Sequence, residues 1–130
     1  MENRQPRTDQ REVRGGELAD RLIDFAVQII ALASRLPRDM VGRHIASQMI
    51  ESGTSVGAHY EEARGAESRA DFVQKLGIAL KECRETRYWL RVNDRAKMVS
   101  DDVPAALLAE AAELCAILGQ SILTAKGRRT

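Results

Sequence analysis

The chain is short of residues that interrupt helices and of residues that staple small folds. Its three prolines, Pro6, Pro37 and Pro104, are spaced widely enough to leave room for long helices between them. Aromatics are confined to Phe25, Tyr60, Phe72, Tyr88 and Trp89, while Ala, Leu, Glu and Arg are abundant, a balance that favours helix. Cys83 and Cys115 are far apart in the chain and neither belongs to a C-x-x-C pair. No disulfide framework is therefore expected, and both read as reduced core residues on apolar helix faces, suited to a reducing cytoplasm. Net charge is also missing: 20 basic side chains face 19 acidic ones, so no global field points to nucleic acid or membrane, and any charge argument must be local. The stretch read as most apolar, Leu18 to Leu36, is interrupted by Asp20, Arg21, Asp24, Gln28 and Arg35, and no membrane span is expected there. The N-terminal MENRQPRTDQREVRGG lacks the apolar segment of a signal peptide, and a cytoplasmic location is expected.

What is present is helical periodicity, in a chain of 130 residues that suits one domain with one continuous core. Residues 1–16 carry four arginines, Pro6 and only Val13 as an aliphatic side chain before Gly15-Gly16, too little apolar surface to offset ordering entropy. They are expected to form a disordered N-terminal arm, with a four-helix bundle over residues 17–126 and a small basic tail at 127–130. The first helix, from Glu17 to about Arg35, has a stripe of Leu18, Leu22, Phe25, Ile29, Leu32 and Leu36. Ile23, Val27 and Ile30 lie outside that stripe and widen the apolar surface beyond what a monomeric bundle needs, so a partner subunit is expected to cover them. The second helix begins near Pro37 and carries Val41, Ile45, Met49, Ser52, Val56, Tyr60 and Ala63 inward. Gly53, Ser55, Gly57 and Ala58 thin its middle, and a close helix approach is the expected compensation.

From Glu51 to Val92 the chain reads as an αα-hairpin. Gly65 is expected in a positive-φ C-cap, and Ser68 with Asp71 has the form of a capping box. The third helix turns Phe72, Leu76, Ala79, Cys83, Thr86 and Leu90 inward and runs to about Lys97. After an acidic turn with Pro104, the fourth has Leu107, Ala111, Leu114, Leu118, Ile122 and Ala125, stopping at Gly127. Short links make neighbouring helices antiparallel, and the expected fold is an all-α, up-down-up-down four-helix bundle.

Ser52-Gly53-Thr54-Ser55-Val56-Gly57-Ala58, Ala70-Asp71-Phe72, Lys75-Leu76-Gly77-Ile78-Ala79 and Glu85-Thr86-Arg87-Tyr88-Trp89-Leu90 together carry a resemblance. They resemble the bacterial four-helix-bundle family of proteins encoded within intervening sequences of 23S rRNA genes, which also includes the accessory protein of diversity-generating retroelements. The similarity in helix pattern extends over about Leu18 to Ala125. It implies a ring-shaped homo-oligomer, typically a homopentamer, and for the retroelement branch binding of nucleic acid and of a reverse transcriptase, with no catalytic residues. Two departures stand out: His59 where Asn is expected, and near-neutral charge where the retroelement proteins are strongly basic.

The best local signal for RNA or DNA is on the third helix. Arg84, Arg87, Arg91 and Arg95 fall on one quarter of its circumference, with Lys81 near one end and Tyr88 alongside as a stacking surface. They read either as a phosphate-contacting stripe or as a solvated face paired with Glu85 and neighbouring carboxylates. Ile78 and Trp89 project away from the core stripe, as interface anchors or as cover for the bundle edge. No enzyme chemistry is expected. A di-iron site would need Glu-x-x-His on two helices, and the only histidines, His44 and His59, share one helix. Glu61, Glu62 and Glu67 lack a nucleophile or apolar wall beside them, and Cys83 has no histidine partner that the pattern can place. No metal or other cofactor is expected.

Overall fold

The computed structural model describes residues 7–127, with side chains from Gly15 onward. Four helices follow in order: α1 (Arg7–Ala33), α2 (Met40–Arg64), α3 (Arg69–Ala96) and α4 (Val103–Ala125). Among the described residues there is no strand.

The stripes read from the sequence form the core. Leu22, Phe25, Ile29 and Leu32 of α1, Met49 and Val56 of α2, Leu76 and Leu90 of α3, and Leu114 and Leu118 of α4 are essentially solvent-free. Each such side chain contributes about 1.5–3 kcal/mol through removal from water. Each helix packs extensively on its sequence neighbours, whereas α1 meets α4 far more sparingly. That sparse seam is bridged by Arg21, whose Nε and Nη2 donate to the two carboxylate oxygens of Glu110 at 2.7 Å each, with Nη2 also 2.9 Å from Glu113. Arg35 pairs with Asp101 at the end of the same side.

Gly53 and Gly57 let α1 and α2 approach closely. A Cβ at Gly53 would lie 2.9 Å from Ile29 Cγ2, and one at Gly57 would lie 3.4 Å from Leu22 Cβ. Here the missing side chains are what the neighbouring helix occupies.

Several expected boundaries move. The helix break anticipated at Gly15-Gly16 is absent, and α1 extends back to Arg7. Glycine lowers helix stability by about 1 kcal/mol per residue but does not forbid it. A Cβ at Gly15 would lie 3.5 Å from Tyr60 Oη and Arg64 Nε, so the backbone passes close to the end of α2. Of the anticipated arm, residues 1–6 lie outside the described residues, as do 128–130 of the tail.

Pro37 precedes α2 instead of opening it. The cap is Asp39, whose carboxylate accepts from Gly42 N at 2.8 Å and so sets the first turn at Met40. Val41, placed in the stripe by periodicity, is exposed because it stands in that first turn at the rim of the bundle. Gly65 has φ −94°, not a positive value; its N–H returns to the carbonyls of Glu61 and Glu62 with ordinary right-handed geometry. Ser68 caps α3 by accepting from Asp71 N at 3.1 Å. At the other end of α3, Lys97 takes the left-handed conformation, with φ 52°. Before α4 it is Asp101 that accepts from Val103 N, at 3.1 Å, while Asp102 makes no side-chain cap.

Among the described residues, the helix long and apolar enough to cross a membrane is α4, not the stretch Leu18 to Leu36. Its Leu107, Ala111, Leu114 and Leu118 are buried against the rest of the bundle.

Candidate nucleic-acid interface

Helix α3 owes its length to a well-formed start at Ser68 and to an inward face of Leu76, Ala79, Cys83, Thr86, Leu90 and Asn93 that anchors it to the bundle throughout. The faces turned away from the core are free to be polar. Arg84, Arg87, Arg91 and Arg95 are all exposed there, as is Lys81 one turn nearer the start. At 1.5 Å rise per residue the four guanidinium groups are distributed along roughly 16 Å of helix.

These arginines are not spent on carboxylates. Arg21, Arg35 and Arg64 each lie within 4.0 Å of an Asp or Glu oxygen, but among the described residues no carboxylate comes that close to Arg84, Arg87, Arg91, Arg95 or Lys81. Glu85, the acid nearest the stripe in sequence, instead accepts from Trp89 Nε1 at 3.3 Å. The Glu85 pairing expected under one alternative is therefore not made, and the stripe lies open to solvent.

Beside the stripe lies an aromatic ledge. Tyr88, 56% exposed, packs edge-on against Trp89 with centroids 5.0 Å apart, and Trp89 meets His44 of α2 edge-on at 5.8 Å. Met40 and Val41, one turn before His44, are 84% and 58% exposed. Flat π faces next to free guanidinium groups suit unpaired bases and their phosphates. Sequence reasoning found Tyr88 but not His44, Met40 or Val41, because the ledge is assembled across two helices. Reading α2 and α3 as one hairpin and matching their levels would have brought His44 to Trp89.

The residues expected to cover an oligomer interface divide. Ile23, Val27 and Ile30 are 55%, 58% and 47% exposed, a row of β-branched side chains on α1 with no partner in the monomer. Ile78 is half-buried outside the core cluster, whereas Trp89 packs against that cluster and covers the bundle edge. Of the remaining polar residues, Asn93 is fully buried with its Nδ2 3.6 Å from Met49 Sδ and its Oδ1 unpaired, and His59 Nδ1 is buried without a partner. Glu61 pairs with Arg64 and Glu62 with Lys75.

A family model described as 23S rRNA-intervening sequence protein matches residues 17–120. A solved structure from Bacteroides thetaiotaomicron VPI-5482, a protein with unknown function from the S23 ribosomal protein family, shares 36% sequence identity and a TM-score of 0.75, covering 81% of this chain and 97% of its own. No curated protein matches the chain.

Proposed function

The chain belongs to the 23S rRNA-intervening sequence protein family, and from that premise we propose that it is a non-enzymatic, oligomeric nucleic-acid-binding accessory protein of the bacterial cytoplasm. Arg84, Arg87, Arg91 and Arg95 contact phosphates, Lys81 extends the set, and Tyr88 offers a stacking face. The observation that carries this reading is the absence of ion pairs on the stripe, since an exposed guanidinium already held by a carboxylate has little left for a phosphate. Binding is sequence-independent, because the stripe contacts phosphates, which carry no sequence information directly.

The remaining parts of the reading concern assembly. The helices run up-down-up-down, which the short links and the pairings Glu62 with Lys75 and His44 with Trp89 support. Copies associate through Ile23, Val27 and Ile30, with Ile78 at the edge, into a closed ring of five, repeating the basic stripe around the particle. Five is the number implied by the family resemblance; the bare β-branched row supports association only. A reverse transcriptase is the protein partner that the retroelement branch would supply.

Fluorescence anisotropy against a structured RNA and a duplex DNA, over a range of salt, tests the phosphate role. Binding should weaken linearly in log–log form with salt, and Arg84→Ala with Arg91→Ala should lower the slope by about one per lost contact. Unchanged affinity and slope in that variant would remove the stripe from the interface. Flat anisotropy at low salt, with sedimentation still reporting an oligomer, would instead favour a protein-interaction scaffold, the reading that the unpartnered Ile23, Val27 and Ile30 independently support.

A further inference from the structure

The two cysteines, distant in sequence, meet between α3 and α4. Cys83 is fully buried, and its Sγ lies 3.6 Å from the carbonyl oxygen of Ala111. In a helix that carbonyl receives the N–H of the residue four positions on, which is Cys115. Cys83 Sγ is thus lodged against the turn of α4 that carries Cys115, over which the Cys115 side chain leans back.

The two sites differ in the way that a reactive pair requires. Cys115 is only half-buried, while Cys83 is enclosed. The neighbouring Cys83 thiol and, more weakly, Arg87 and Arg84 of the basic stripe bring the Cys115 thiol down to about 7 and favour its thiolate. Cys83 is held in the thiol form by the neighbouring Cys115 and by burial, with Glu110 on α4 acting in the same sense and Arg87 against it. A low-pKa, less buried sulfur with a protonated sulfur behind it is the arrangement of an attacking and a resolving cysteine.

We propose that Cys83 and Cys115 form a redox-active dithiol that closes to an intramolecular disulfide, joining α3 to α4, when the protein meets a hydroperoxide. The Cys115 thiolate attacks the outer peroxide oxygen. The O–O bond breaks, Cys115 becomes a sulfenic acid, and the leaving alkoxide or hydroxide takes a proton from water. Cys83 sulfur then attacks the sulfenic sulfur, the S–S bond forms, and the departing hydroxide leaves as water with the Cys83 proton. Two thiols lose two electrons and one peroxide is reduced to an alcohol or water. A thiol reductant returns the pair to the starting state by exchange.

The test treats the whole chain with one equivalent of hydrogen peroxide, then analyses intact mass and a non-reducing peptide map. The expected result is a loss of two hydrogens per chain, both thiols silent to a thiol reagent, and one linked peptide joining Cys83 to Cys115, all reversed by dithiothreitol. Stable oxygen addition at Cys115 with Cys83 still free, or a linkage only between chains, would overturn the proposal. Cys115→Ser, at the more exposed position, serves as the companion. It should keep the helical circular-dichroism signal and leave Cys83 at least tenfold less reactive to iodoacetamide than Cys115 is in the parent. In the parent, alkylation should rise with pH through a midpoint below the ~8.5 of a free thiol. Equal reactivity of the two positions, or a midpoint at or above that of a free thiol, would count against the assignment.

Discussion

The α1–α2 seam and the outer face of α3 use the same residue for opposite reasons. Gly53 is glycine because Ile29 occupies the place where its Cβ would go, while Gly77 on α3 has nothing within 4 Å of that place. A glycine in the seam is required by space. A glycine on the outer face of α3 is only a weak point in the helix of the isolated chain. Local composition cannot separate the two, since both stand within long helical patterns; what separates them is the neighbouring helix.

Substitutions can press on that contrast in order of size. Gly42→Ala should be the most damaging, because the new Cβ would overlap the backbone carbonyl of Pro37, which has no rotamer with which to yield. A loss of about 3 kcal/mol in urea unfolding is expected. Gly53→Ala meets the Ile29 side chain, buried and β-branched, so the clash should outweigh the gain in helix propensity and leave a net loss of about 1–2 kcal/mol. Gly77→Ala should change sign, raising stability by about 0.5–1 kcal/mol. If Gly53→Ala and Gly77→Ala shift the midpoint in the same direction, the distinction between seam and surface fails.

The smallest effect concerns the sparse α1–α4 side. Glu110→Gln should cost about 0.5–1 kcal/mol at pH 7, the range for a partly exposed ion pair. The hydrogen bonds from Arg21 hold the Glu110 carboxyl below its ordinary value. A group whose folded pKa is depressed contributes fully above its unfolded value, ~4.3, and loses that contribution as pH falls through the folded value. The gap between parent and variant should therefore close in acid. A gap that persists at pH 2 would assign the effect to packing instead of charge.

Much of the fold is legible along the chain because each stripe is a local pattern. Leu22, Phe25, Ile29, Ile45, Met49, Val56, Leu76, Leu90, Leu114 and Leu118 are all inward as their spacing predicts. The start of α1 is not legible, since a Gly-Gly pair marks a cost and not a stop, and its neighbour Tyr60 belongs to another helix. The fully buried Asn93 was also missed: a polar residue one turn past Leu90 continues the stripe only when the partner Met49 is known. Within the candidate site, the four arginines followed from periodicity on one helix, but their freedom from ion pairs did not, because it depends on Glu85 being engaged by Trp89. The cysteine pair was hidden for a different reason. Cys83 and Cys115 stand equal numbers of residues before and after Val99, in the turn between α3 and α4, a symmetry visible only once that turn is taken as a mirror.

The scarcity of packing between α1 and α4 also bears on how the chain acquires its structure. With nearly every helix leaning on the one next to it in sequence, loop closure between contacting segments is short, and the last seam to form is the one joining the two ends of the chain. That seam should also be the first to open. Amides of α1 facing α4 should then exchange with solvent sooner than those in the middle of α2 and α3, and uniform protection across the four helices would show that the bundle opens as a single unit.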